Sequence, residues 1–140
     1  MSFLSEEFLQ QKTSQELTML LYEACERNIE EAVSSIQEKN FMKANRKFQR
    51  AIDILERLGA GLNYEAGIIA EELDALYNYM NDQLIAANLK KDKETAQHVL
   101  KILKRISVSW NSAMKTQTDK QTKLSRARTI SYEQNMMYDK

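Results

Sequence analysis

Apolar residues recur every three or four positions through most of the chain, and the recurrences divide it into four blocks. From about residue 14 to 38, Leu17, Leu20, Leu21, Ala24, Cys25, Ile29, Ala32, Val33 and Ile36 fall on one stripe of a helix. Phe41, Ala44, Phe48, Ala51, Ile52, Leu55 and Leu58 form a second stripe. Ile68 or Ile69, Leu73, Leu76, Tyr77, Met80 and Leu84 form a third, running to about Asn88. Ala96, Val99, Leu100, Leu103, Ile106, Trp110 and Ala113 form the fourth. No strand-period alternation competes with these patterns. Thr13 or Ser14 is placed to cap the first helix, and Gly59 or Gly61 to end the second in a left-handed conformation. The links at Lys39-Asn40 and from Leu89 to Lys91 are short, which favours antiparallel neighbours. The expected fold is all-α, an antiparallel up-and-down four-helix bundle. One domain with a short N-terminal cap segment is expected over residues 1–118, and a frayed helix or mobile polar tail over residues 119–140.

Composition supports long helices around one break. The chain has no proline and three glycines, Gly59, Gly61 and Gly67, all between the second and third stripes. Charge supports the topology. Residues 14–38 sum to −5, 41–61 to +3, 64–88 to −5 and 92–118 to +3. In an up-and-down bundle sequence neighbours are spatial neighbours, so this alternation sets opposite charges across each adjacent pair of helices. Single exposed pairs contribute only about 0–1 kcal/mol, so the pattern selects an arrangement more than it stabilises one.

The chemistry on offer is sparse. A net charge of zero argues against nucleic acid as a partner. No run of 18 apolar residues suggests membrane insertion, and the acidic start MSFLSEEFLQQK does not have the basic region of a secretory leader, so a cytoplasmic location is expected. Cys25 is the one cysteine and has no ligand partners at metal spacing. No metal, cofactor or catalytic set is expected, and the chain is not expected to be an enzyme. The sharpest enzymatic alternative is a histidine phosphotransfer domain, since His98 precedes Lys101 by three residues. Bulky Ile102 then occupies the place where a small residue would admit a phosphoryl group.

Surplus apolar side chains point instead to binding. Tyr77 and Tyr79 are two apart on one helix and cannot both face the core. Leu62, Tyr64 and Ile69 near the glycine break, and Phe3, Leu4, Phe8 and Leu9 ahead of the first stripe, exceed what four stripes need. Together they predict a groove for an amphipathic helix from another protein, with the N-terminal segment as a cover.

Three segments carry a family resemblance: ELTMLLYEAC from Glu16, GLNYEAGIIAEELDALYNYMNDQLIAANLKKD from Gly61, and the Trp110-Asn-Ser-Ala113 stretch. They resemble the flagellin export chaperone FliS family, whose pattern runs E-L-x-x-x-L-Y, L-N, a glycine, L-Y-x-Y-M, L-x-x-A-N and a late W-x-x-A. The resemblance spans about residues 13–114 and is most specific over LYNYMNDQLIAAN, Leu76 to Asn88. It implies a bundle that binds the C-terminal segment of flagellin in the cytoplasm, prevents premature polymerisation and helps delivery to the flagellar export gate. A homodimer is a further candidate. The partner-binding residues it implies, with the surplus apolar positions, are Phe8, Leu62, Asn63, Tyr64, Ile69, Tyr79, Ala87 and Asn88, while Leu73, Tyr77 and Met80 are expected in the core. Two departures stand out: Phe3 and Phe8 occupy a segment where the family usually has tyrosines, and Ser14-Gln15 stands where it usually has a proline. A helical adaptor for a different client is the alternative they keep open.

Overall fold

The computed structural model describes the backbone of residues 2–63 and 67–138, and the side chains of residues 14–63, 67–116, 123–124 and 127. Four helices follow one another: α1 (Ser2–Gln37), α2 (Phe41–Ala60), α3 (Ile68–Lys90) and α4 (Lys93–Tyr138). No strand occurs among the described residues. Two units are distinguished, Met1–Ser107 and Val108–Lys140. The first holds α1 to α3 and the opening turns of α4, and forms the bundle.

Inter-helix contacts set its direction. The Cys25 thiol donates to the Ala51 carbonyl at 3.5 Å and Lys47 pairs with Glu31 at 2.6 Å, so α1 and α2 run antiparallel. On the α1–α4 side the Ser107 hydroxyl donates to Glu26 at 2.8 Å and Lys104 meets Glu30 at 3.4 Å, again antiparallel. Asn88 donates to Asn45 at 2.8 Å across α2 and α3. Both ion pairs join a helix of net negative charge to one of net positive charge, as the charge alternation requires. The Tyr22 and Tyr77 hydroxyls share a 2.5 Å hydrogen bond between α1 and α3, through the buried interior. Phe48, Ile29, Leu55, Met80, Leu84 and Leu103 are the other large side chains that are wholly buried.

Two helices overrun their stripes. The first helix was expected to start near Ser14, yet α1 starts at Ser2, so positions 13 and 14 lie within it and not at its start. The Thr18 hydroxyl instead donates back to the Ser14 carbonyl at 3.1 Å. The fourth helix continues past Ala113 to Tyr138. In both places the chain lacks a proline or glycine to stop a helix, so helical backbone persists after the apolar period has ended.

Both tight corners use one device. Lys39 and Lys91 adopt left-handed backbone conformations (φ 60° and 52°). The next residue's amide then reaches back five residues, Asn40 to Ser35 at 2.8 Å and Asp92 to Ala87 at 2.9 Å. This is the Schellman pattern, which satisfies carbonyls that a helix end leaves free. That next residue also starts the following helix. The Asn40 side chain accepts from the Lys43 amide at 3.2 Å, and Asp92 accepts from the Glu94 amide at 3.1 Å and the Thr95 hydroxyl at 2.7 Å. These bonds, the Thr95 hydroxyl first, hold the Asp92 carboxyl below the usual carboxylate range. A group whose folded pKa is lowered stabilises above its ordinary value and loses that contribution as pH falls through its folded value. Asn40→Ala should therefore cost about 1 kcal/mol at any pH. Asp92→Ala should lower the melting temperature at neutral pH by more than at pH 3 or below. Thermal melts of both proteins across that range check this, and a pH-independent Asp92 effect would contradict it.

Candidate functional site

The third helix begins at Gly67, whose φ of 70° and ψ of −128° suit glycine and strain any residue with a Cβ. From that start, rotation of about 100° per residue fixes which flank each side chain takes. Tyr77, Met80 and Leu84 point inward and are buried. Ile69, Leu76 and Tyr79 lie within about 80° of one another on the flank toward α4, and all three are exposed, Ile69 by 66% and Tyr79 by 44%. Tyr77 and Tyr79 thus separate into core and surface, as their spacing demands.

Tyr79 is held in place. Its ring meets His98 of α4 edge-on, with centroids 6.3 Å apart, and its hydroxyl lies 3.3 Å from His98 Nε2. One side of the imidazole is spent on Tyr79, and the phenol presents a half-exposed apolar face that cannot swing freely. Aromatic rings fixed in this way are efficient binding anchors, because little side-chain freedom remains to be lost on association.

More apolar surface gathers at the end of the bundle where α2 gives way to α3. Leu62 is half-buried and Asn63 exposed in that connection, and Ile68 is exposed at the head of α3. The register of Cys25 against Ala51 brings Leu17 and Leu20 of α1 to the same end, where they are 56% and 59% exposed. Both were expected in the core, as was Phe41, which is half-exposed. They belong to stripes wider than the faces that neighbouring helices cover.

Two residues expected to meet a partner do not lie open. Ala87 is fully buried, because it follows Met80 by seven positions and Leu84 by three and so continues their inward row. Asn88 is engaged inside the chain, donating to Asn45 and accepting from Lys91 Nζ at 2.5 Å. The Phe8 side chain and Tyr64 lie outside the described residues. Leu17, Leu20 and Leu76 were missed as surface groups, and Leu76 had a legible signal in its seven-residue spacing from Ile69.

Among the described residues no group of three or more His, Cys, Asp and Glu side chains could hold a metal ion. Burial, reinforced by Glu26, pushes the Cys25 thiol up to about 12, so it stays protonated and unreactive at neutral pH. No described helix is long and apolar enough to cross a membrane.

The fold and this surface define an all-α helical bundle with exposed apolar flanks. Comparison with known proteins makes this specific: the model of the family described as flagellar protein FliS matches residues 5–117, and the chain belongs to that family. Relatives include the flagellar secretion chaperone FliS of Vibrio cholerae, 33% identical over 94 residues, which cover 66% of this chain and 68% of that one. The flagellar secretion chaperone FliS of Bacillus subtilis is 28% identical over 105 residues, covering 75% and 78%. That of Salmonella typhimurium is 29% identical over 97 residues, covering 68% and 72%.

Proposed function

We propose that this chain is a cytoplasmic export chaperone that binds the C-terminal helical segment of flagellin, keeps it from polymerising early and aids its delivery to the flagellar export gate. Family membership supports the coarser part of this reading, a chaperone role in flagellar export. The observation that carries the rest is the exposed row Ile69, Leu76 and Tyr79, which has the spacing and chemistry to receive one face of an amphipathic helix.

The mechanism is passive. An unassembled client helix exposes an apolar stripe that would otherwise pair with other copies of itself. Burying that stripe against α3 removes apolar surface from water at about 25 cal/mol per Å², less the cost of ordering the client. No nucleotide or bond-making step enters. The test is calorimetric titration of the full chain with the C-terminal region of flagellin from the same organism. Saturable one-to-one binding with a negative heat-capacity change is expected. No heat and no co-purification from co-expressing cells would remove flagellin as the client and leave the scaffold to another partner.

A further inference from the structure

The opposite end of the bundle, where the two tight corners lie, carries a second apolar patch that the flagellin reading does not use. The Asn45–Asn88 hydrogen bond marks its centre. Within about one helical turn of that bond lie Phe41 and Met42 on α2 and Ile85 and Leu89 on α3. All four are exposed, Met42 by 76% and Leu89 by 82%. Isolated exposed apolar residues need no explanation, whereas four around one point on a small domain do.

Charge indicates what would cover them. Residues 38–47 and 89–94, which form this end, hold seven basic and three acidic side chains, a net +4 in a chain whose total is zero. Lys39, Arg46, Lys90 and Lys93 are exposed, while the Asp92 carboxylate is occupied in capping α4. An apolar centre within a basic margin complements a helix that is apolar on one face and acidic on the other. Such a margin speeds encounter and rejects basic partners, and the centre supplies the lasting contact.

We propose that this corner end is a docking surface for an acidic amphipathic helix of a partner protein, separate from the α3 flank. The probe is a labelled 18-residue synthetic peptide with leucines on one helical face and glutamates on the other, titrated against the full chain by fluorescence anisotropy. A counterpart with lysines in place of the glutamates is the control. The acidic peptide should bind at least about tenfold more tightly than the lysine peptide, and raising salt from about 50 to 300 mM should weaken it severalfold. Met42→Ser and Leu89→Ser should each cost about tenfold, and the double variant more. Arg46→Glu with Lys90→Glu should remove the preference for acid. All these side chains are exposed or solvated, so circular dichroism should stay that of wild type. Tyr79→Ala should bind the peptide normally.

Equal affinity for the two peptides, or unaltered binding by the Met42 and Leu89 variants, would overturn the proposal. So would binding to phosphatidylserine vesicles without binding to the peptide, which would make the end a lipid-facing surface. If the same variants lose the C-terminal region of flagellin, the corner end belongs to the client surface and the separate site is refuted, with the flagellin reading intact.

Discussion

Phe48→Ala should lower the stability of the bundle by about 3–5 kcal/mol, the largest effect expected of any single substitution described here. Phe48 is wholly buried and is the second largest such side chain after Tyr22. Its truncation removes the transfer free energy of a phenyl ring and leaves a cavity that helices tied by Lys47–Glu31 and Asn88–Asn45 cannot fully collapse. A domain of this size has only about 5–15 kcal/mol in hand, so the variant should stand close to its unfolding threshold at 37 °C. Urea titration followed by circular dichroism should show a much lower midpoint with an unchanged slope. Phe41→Ala supplies the comparison: Phe41 has the same side chain and lies two helical turns earlier, yet it is half-exposed and should cost far less. Near-equal losses at the two positions would mean that the burial assigned to Phe48 is wrong.

The contrast between these two phenylalanines shows how far the fold was legible. Both sit on the apolar stripe of α2, and spacing alone cannot separate them. Periodicity reports the direction a side chain leaves its helix, whereas burial depends on whether a neighbouring helix reaches that height. Phe41 opens α2 directly after the three-residue corner 38–40 and stays half-exposed. Leu17 and Leu20 show the same limit on α1. The glycine cluster and the alternating charges, by contrast, act locally or between sequence neighbours. The charges foretold the Glu31–Lys47 pairing and the glycines the long connection, although Gly61 ends α2 at φ −86° and not in the left-handed conformation expected of Gly59 or Gly61.

Other features had no local signal. The Tyr22–Tyr77 hydroxyl pair joins residues 55 apart in sequence, and Tyr22 falls outside the stripe drawn for α1. Burial raises both phenols above their ordinary range. The pair therefore stabilises below about pH 10 and fails as pH rises beyond it, because a neutral phenol is the form the interior accepts. Ala87 failed for the converse reason. It was assigned to the partner surface through resemblance, although its spacing from Met80 and Leu84 already placed it inward.

The second large effect is expected at the α3 flank. Ile69→Glu should weaken binding of flagellin's C-terminal region by at least about tenfold, because it sets a charge where the client's apolar stripe must lie and an unpaired charge resists burial. Tyr79→Ala should cost about as much by deleting an aromatic anchor that His98 already holds in place. His98→Ala keeps that ring but removes the contacts that hold it, so a smaller loss is expected. The same variant with normal motility would dispose of phosphotransfer through His98. Ile69 and Tyr79 are both exposed, so melting temperatures should remain near that of wild type and any loss is a loss of contact. Calorimetry on the three variants separates the possibilities. A graded decrease with unchanged helicity places the client on this flank, and wild-type affinity in both Ile69→Glu and Tyr79→Ala would move the client elsewhere on the bundle.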